Sequence, residues 1–160
     1  LIGMVQSKNQ DNSLYKIGCL GKISDYQKSK DGRILINLTG ITRFKILDEI
    51  TNEKLYREFR VNYKTFEEDI VEKKIVINSS SLMEKARIFF KRSGLLLNWK
   101  EFEKLDQAQK INTLAMISPI TNEEKQKLLE SISLTEKVRT LENIINFYLH
   151  EVNFNNQTMQ

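Results

Sequence analysis

The stretch Lys30–Ile46 reads KDGRILINLTGITRFKI, and it decides the character of the first part of this chain. An Asp-Gly pair near its start is among the strongest short-range signals for a β-hairpin, because the central turn residues tolerate positive φ. The apolar run ILINL follows, and after Gly40 the run RFKIL alternates apolar and charged residues, as a half-buried strand does. We therefore predict a hairpin and then two strands that meet at Gly40, with Arg43 and Phe44 at their junction.

Arg43 has two interpretations at such a junction. Its guanidinium either binds a ligand, or it stabilises the fold by bonding backbone carbonyls or a carboxylate beneath the sheet. The first interpretation makes this turn a functional site, and the second makes it a structural one.

The composition indicates a soluble globular protein of 160 residues, 40% hydrophobic and 29% charged. No apolar run approaches the roughly 20 residues of a membrane helix, so we expect no membrane partner. The net charge is +4, but acidic and basic residues are interspersed. That pattern favours a solvated surface over a nucleic-acid patch.

The cysteine and histidine content argues against disulfide and metal chemistry. Cys19 is the only cysteine, so no intrachain disulfide can form, and we predict a reducing, cytoplasmic location. His150 is the only histidine, and one histidine with one cysteine cannot supply a zinc site of the usual ligand types. We expect no metal and no cofactor.

Strand signals precede helix signals along the chain, which predicts an α+β architecture. Residues 1–65 form a β-rich part, and residues 66–80 form a charged linker. Residues 81–150 form a helical part, and residues 151–160 form a polar tail that follows the last helix.

The end of the β-rich part has the clearest strand pattern. In REFRVNYK, the apolar residues Phe59, Val61 and Tyr63 alternate with polar ones and share one face. We interpret the aromatic residues of the chain as core anchors, namely Tyr15, Tyr26, Phe44, Phe59, Tyr63 and Trp99.

Capping signals mark the helices. Ser81-x-x-Glu84, Thr121-x-x-Glu124 and Ser133-x-x-Glu136 are capping boxes, in which the hydroxyl and the glutamate each accept a terminal N–H. Asn98-x-x-Glu101 and Asp106-x-x-Gln109 are looser versions. Apolar stripes at helical spacing follow, and they comprise Leu82, Ala86, Phe89 and Phe90 in the first helix and Leu134, Val138, Leu141, Ile145 and Tyr148 in the last.

Catalytic equipment is not apparent in the sequence. In GCLGKI (Gly18–Ile23) two residues separate the glycines, whereas a phosphate-binding loop needs four, and then Ser or Thr after the lysine. No serine lies in a Gly-x-Ser-x-Gly elbow. Composition does not exclude a Ser–Lys dyad, but nothing marks one serine out. We predict that the chain is not an enzyme.

Several motifs follow one another along the chain: a Gly-x-Val strand, a Tyr-x-x-Gly strand, the Asp-Gly hairpin, Gly-x-x-Arg-Phe, and EKQKLLE in the helical part. In this order and spacing they resemble the N-terminal, substrate-binding domain of the ATP-dependent protease Lon. The matching residues are Gly3, Tyr15, Gly18, Asp31, Gly32, Gly40, Arg43 and Phe44, and then Glu124, Lys125 and Gln126. Cys19 stands where threonine is more usual. The resemblance covers about residues 1–150.

The resemblance implies a fold and a function. The fold is a twisted, partly closed β-barrel of the PUA-like type followed by a C-terminal helical bundle. The function is a non-catalytic module that binds unfolded or degron-bearing polypeptides and could act with a Lon-type protease. An RNA-binding PUA-like module stays open as the alternative, on fold analogy alone.

The resemblance also bears on chain organisation and on Arg43. Members of the family usually begin with a further segment of Pro-Leu-Phe-Pro-like strands and a helix, and nothing here resembles the ATPase or Ser–Lys protease domains of Lon. We therefore expect a stand-alone relative that lacks the first strands. A shared Gly-x-x-Arg-Phe turn favours the structural role of Arg43, with Gly40 turning the chain and Phe44 packed inward.

Overall fold

The computed structural model describes residues 1–8, 13–71 and 77–157, with side chains up to residue 150. The chain divides into two compact units, Leu1–Lys73 and Lys74–Gln160, which we call the strand unit and the helical unit. The division falls inside the segment 66–80 that the sequence suggested as a linker.

The strand unit contains one four-stranded antiparallel sheet in chain order. Its strands are β1 (Ile2–Met4), β2 (Ile17–Lys28), β3 (Ile34–Ile50) and β4 (Glu58–Asn62). In the described part of the chain β1 and β4 each have one paired side, and a barrel requires that the first and last strands pair. The sheet is therefore open, in contrast to the partly closed barrel that we expected.

The prediction of two strands separated by a turn at Gly40 was wrong, because β3 runs through it. Gly40 pairs with Gly21 of β2, and its φ lies outside the positive range. Leu20 and Gly21 are consecutive, yet they face Thr42 and Gly40, so Ile41 is the extra residue of a bulge. A bulge bends and twists a strand without ending it.

The Asp-Gly hairpin was predicted correctly, and it joins β2 to β3. Gly32 has φ 85°, a conformation that side chains disfavour. The Ser29 N–H donates to the Arg33 carbonyl at 2.8 Å. The Asp31 carboxylate accepts from the Arg33 backbone N–H at 3.2 Å and from its Nε at 2.6 Å. Local bonds thus fix this turn.

Part of the expected linker is integral structure. A 3₁₀ helix, Lys64–Asp69, follows β4, and its Phe66 side chain is 2% exposed. Thr42 Oγ1 donates to the Phe66 carbonyl at 3.5 Å. Burial of an aromatic ring contributes a few kcal/mol, so this segment is anchored to β3. Residues 72–76 of the expected linker lie outside the described residues.

The described part of the helical unit contains helices α1 (Ser80–Arg92), α2 (Trp99–Glu103), α3 (Gln107–Ile117), α4 (Asn122–Glu130) and α5 (Leu134–Gln157). The stripe predicted for the first helix is buried in full. In the last helix Val138, Leu141 and Ile145 are buried, whereas Leu134 and Tyr148 are partly buried against the same core. Helix α5 continues seven residues beyond residue 150, so the last helix is longer than we expected.

The capping signals differ in outcome. Thr121 with Glu124 and Asp106 with Gln109 form complete capping boxes. The Ser81 box was wrong, because α1 begins at Ser80, two residues before the start at Leu82 that this box implies, and Ser81 Oγ instead donates to Glu142 Oε1 at 2.6 Å. Ser133 accepts from the Glu136 N–H at 3.1 Å, as predicted, but Glu136 Oε2 accepts from the N–H of Ile132 and not from that of the cap residue.

Candidate functional site

Three of the motif residues meet at the centre of the sheet. Phe44 is 4% exposed, and its ring lies across two glycines on neighbouring strands. A Cβ added to Gly18 would lie 2.7 Å from Phe44 Cζ and 2.6 Å from the Met4 carbonyl oxygen, and one added to Gly3 would lie 3.2 Å from Phe44 Cζ. The motif therefore has a steric cause, since the ring occupies the space of the missing side chains.

Arg43 is bound by the strand unit itself. Its Nε and Nη2 donate to the two carboxylate oxygens of Asp69 at 2.9 and 2.8 Å, and its backbone N–H donates to the same carboxylate at 2.9 Å. The guanidinium carbon lies 4.2 Å from the centroid of the Phe66 ring. The Arg43 side chain is 12% exposed. Through these contacts the arginine fastens the 3₁₀ helix to β3.

A cleft of about 400 Å³ lies on the face of the sheet above Phe44. All four strands or the residues at their ends supply its walls. The lining residues are Gly3, Val5, Leu14, Leu20, Phe44, Arg57, Phe59, Val61 and Tyr63. Except for Arg57 and the Tyr63 hydroxyl, this lining is apolar.

The rim of the cleft carries a fixed charge pair. Arg57 Nε and Nη2 donate to the two carboxylate oxygens of Glu49, both at 2.6 Å, and the guanidinium carbon lies 5.1 Å from the Phe59 ring centroid. The hydrogen bond from Arg57 holds the pKa of the Glu49 carboxyl below its ordinary 4.5. The pair therefore stays ionised at neutral pH and presents a polar edge to an apolar cleft.

We expected the apolar face of β4, with Phe59 and Tyr63, to belong to the core, whereas this face lines the cleft. Phe59 and Val61 are half-buried, and Tyr63 is 38% exposed with its ring 6.4 Å from that of Phe44, edge to face. The alternating pattern located this face correctly. The pattern could not show whether another layer of the protein covers this face, because alternation indicates that one face of a strand is apolar but not what packs against that face.

The remaining motif residues lie apart from the cleft. Tyr15 lies in the β1–β2 connection, and Lys8 Nζ lies 5.3 Å from its ring centroid. The Asp-Gly pair lies at the tip of the hairpin, and a Cβ added to Gly40 would make only an ordinary contact of 3.7 Å with Cys19 Sγ.

The motif in α4 has local and packing roles. Glu124 Oε2 accepts from the Thr121 N–H and from the Tyr148 hydroxyl, both at 2.8 Å. Gln126 is 2% exposed, and its Nε2 donates to Glu130 Oε1 at 2.9 Å. The Lys125 N–H donates to the Thr121 carbonyl at 3.0 Å within the helix. The bond from Tyr148 connects α5 to α4, whereas the other contacts lie within α4 and its N-cap.

A metal site and a membrane-spanning helix are both absent from the described residues. No three side chains among His, Cys, Asp and Glu come together there as a metal ion would require. None of the described helices combines the length and hydropathy needed to cross a membrane.

The strand unit with its apolar cleft has the form of a binding module. Residues 2–146 match the ATP-dependent protease La (LON) substrate-binding domain, and the chain belongs to that family. The family so identified is a substrate-binding domain.

Individual relatives agree with this assignment. The Lon protease of Bacillus thuringiensis (strain Al Hakam) is 25% identical over 143 residues, which cover 85% of this chain and 17% of that protein. The chain thus spans about a sixth of the curated relative that it matches.

Solved structures of Lon N-terminal domains share the fold. The N-terminal domain of Mycobacterium avium complex Lon protease has a TM-score of 0.59 and 16% identity, covering 90% of this chain and 77% of that one. The Lon N-terminal domain protein from Xanthomonas campestris has a TM-score of 0.59 and 17% identity, covering 91% and 75%.

Proposed function

We propose that this chain binds unfolded or degron-bearing polypeptides through the apolar cleft of the strand unit, without cleaving them. The observation that carries the proposal is the cleft itself, because its volume of about 400 Å³ suits one or two apolar side chains. Folded proteins bury such side chains and unfolded ones expose them. An apolar cleft therefore selects unfolded segments, and the Arg57–Glu49 pair at its rim supplies polar groups for a backbone.

We further propose that the chain acts alongside a Lon-type protease, which would degrade what this module binds. The support is the matching segment in the Lon protease of Bacillus thuringiensis. For the fold we propose a PUA-like sheet, supported by its long, bulged and antiparallel strands. For the location we propose the cytoplasm, supported by the sequence having Cys19 as its only cysteine, which leaves no intrachain disulfide.

Fluorescence anisotropy with labelled α-lactalbumin tests the function, using the reduced and carboxymethylated chain as the unfolded probe and the native protein as its folded control. The parent should bind the unfolded probe only. Val61→Thr, which places a hydroxyl in the cleft, should weaken that binding roughly three- to tenfold. Ile50→Thr is the matched control, since Ile50 is 43% exposed on β3 and does not line the cleft.

The same assay separates polypeptide binding from RNA binding. Polypeptide binding through an apolar cleft should change little between about 50 and 200 mM salt, whereas phosphate contacts would lose affinity steeply over that range. Salt-sensitive binding of a single-stranded RNA that displaces the unfolded probe would refute the proposed function.

A further inference from the structure

Beyond the four-stranded part of the sheet, β2 and β3 continue as a two-stranded ribbon, Ile23–Lys28 with Ile34–Leu38, which we call the arm. Strand β1 pairs only with Cys19–Gly21, and β4 pairs only with Lys45–Ile50. In the described part of the chain the arm therefore has no neighbouring strand. Isolated two-stranded ribbons are marginally stable in water, so an apolar face on one requires an explanation.

The strand register gives the arm one apolar face. Directly opposed residues share a face, and residues two apart on β3 also share it. The three opposed pairs on this face are Ile23 with Leu38, Tyr26 with Ile36, and Lys28 with Ile34. Tyr26 is 71% exposed, so its interpretation as a core anchor was wrong, and Ile34 is 61% exposed. Five of these six residues form an apolar strip, and the sixth, Lys28, places an ammonium group at its end near the hairpin tip.

A bulge in β2 creates this face. Ile23 and Tyr26 are three residues apart, so in a regular strand they would point to opposite sides. The register shift between Ile23 and Asp25 makes Ser24 an extra residue, and Ser24 Oγ donates to the Asn37 carbonyl at 3.2 Å. The bulge thus brings both apolar residues to one side. Bulges often re-aim side chains at functional surfaces.

The opposite face of the arm is mainly polar. It carries Asp25, Gln27 and Asn37, and Leu35 is its apolar exception at 66% exposed. The arm is therefore amphipathic, although both of its faces are exposed to water. Contiguous exposed apolar surface of this kind marks interaction sites.

The apolar face of the arm is a different surface from the cleft. Leu20 and Gly21 are consecutive residues of β2, so they face opposite sides of the sheet. Leu20 lines the cleft, whereas the Leu38 side chain packs against Gly21, where an added Cβ would lie 3.4 Å from Leu38 Cβ. Variants of the two surfaces can therefore be tested separately.

We propose that the apolar face of the arm is a second polypeptide contact, which binds an extended apolar segment flanked by carboxylates. The inference rests on the proposed function, because it assigns a further part of the same substrate. The charge at the tip supports it. Lys28 and Lys30 have no ion-pair partner among the described residues, whereas Asp31 is already bonded to Arg33. Two unpaired ammonium groups beside an apolar strip complement acidic, apolar sequence.

A second copy of this chain fits the face less well. Stable protein interfaces use about 20–30 residues from each partner, and this face offers six. An extended peptide segment needs only a few side chains in contact, so it suits the narrow strip better.

Binding of two fluorescent peptides to the full chain tests the proposal. One peptide alternates Val, Phe and Glu, and the other has Lys in place of every Glu. The double variant Tyr26→Thr/Ile36→Thr should weaken binding of the acidic peptide at least about tenfold. Leu35→Thr is the matched control, because it removes an equally exposed side chain from the other face, and it should bind like the parent. Lys28→Glu should weaken binding of the acidic peptide and strengthen binding of the basic one.

The outcomes distinguish an error in the arm proposal from an error in the proposed function. If the double variant binds the acidic peptide like the parent while Val61→Thr does not, the arm proposal is wrong and the cleft stands. If the parent binds neither these peptides nor unfolded α-lactalbumin, both proposals fail. If the arm residues instead govern self-association, or binding to phosphatidylglycerol vesicles without peptide binding, the arm proposal is also overturned. Matching thermal melts of the variants show that the fold is intact.

Discussion

Phe44 and its neighbouring glycines show how one residue can determine the sequence around it. The ring fills the space above β1 and β2, so a side chain at Gly18 would overlap both the ring and the Met4 carbonyl. Gly3 is less tight and Gly40 is not tight at all. The three glycines look alike in the sequence, yet an added side chain would overlap its neighbours most severely at Gly18 and would fit at Gly40.

This difference gives a test at the residue scale. Gly18→Ala should destabilise the protein by about 1–3 kcal/mol, the usual cost of overpacking. Gly40→Ala should be neutral or stabilising by up to about 1 kcal/mol, since its backbone conformation accepts a side chain and the unfolded chain loses entropy. Urea unfolding followed by circular dichroism measures both. Equal destabilisation of the two variants would contradict the steric account.

At the scale of elements, α1 and α5 are joined by a polar contact as well as by their apolar stripes. Lys85 Nζ and Ser81 Oγ both donate to Glu142 Oε1 at 2.6 Å. The hydrogen bond from Lys85, and then that from Ser81, lowers the pKa of Glu142 from its ordinary 4.5. The ionised carboxylate is thus favoured by the folded state.

The pH dependence of this contact follows from that direction. A carboxyl with a lowered folded pKa adds stability above pH 4.5 and loses it as the pH falls through the folded pKa. Glu142→Gln should therefore be about 0.5–1 kcal/mol less stable than the parent at pH 7, allowing for solvent screening. The difference should shrink as the pH falls below 4.5 and the Glu142 carboxyl of the parent becomes protonated. Glu101→Gln is the control, because its pair with Lys104 is mostly exposed, and its stability should differ little from that of the parent across this range.

At the scale of the whole molecule, each unit has its own buried residues. The core of the helical unit is formed by side chains from α1 to α5 and the segments between them. In the strand unit Phe44 and Phe66 are buried, and Arg43 fastens the 3₁₀ helix that carries Phe66. A substitution in one unit should therefore destabilise mainly that unit.

Amide hydrogen exchange can follow that response. Arg43→Ala removes a charged bond and leaves Asp69 without that partner, so it should cost roughly 1–3 kcal/mol and accelerate exchange within residues 1–71. Leu141→Ala should cost about 2–5 kcal/mol and accelerate exchange from residue 77 onward. Binding of unfolded α-lactalbumin by Arg43→Ala should fall only as far as folding does. Unchanged stability with abolished binding would instead make Arg43 a ligand-binding residue.

The features that the sequence determined by itself are local ones. The Asp-Gly hairpin and the boxes at Thr121 and Asp106 depend on residues within a few positions of each other. The same holds for the apolar stripe of α1, because helical periodicity is a property of neighbouring residues. Such signals need no knowledge of the partner element.

Only the tertiary structure decided the features that depend on register. Whether the chain turns or continues at Gly40 depends on a bulge opposite β2, and the partner of Arg43 is an aspartate 26 residues away. The cleft requires four strands at once, and the apolar face of the arm requires one extra residue at Ser24. The physical reason is that side-chain direction in a sheet alternates with every residue, so one inserted residue reverses the faces that follow. A sequence pattern shows that side chains alternate, but pairing with the neighbouring strand determines which face of the sheet each side chain occupies.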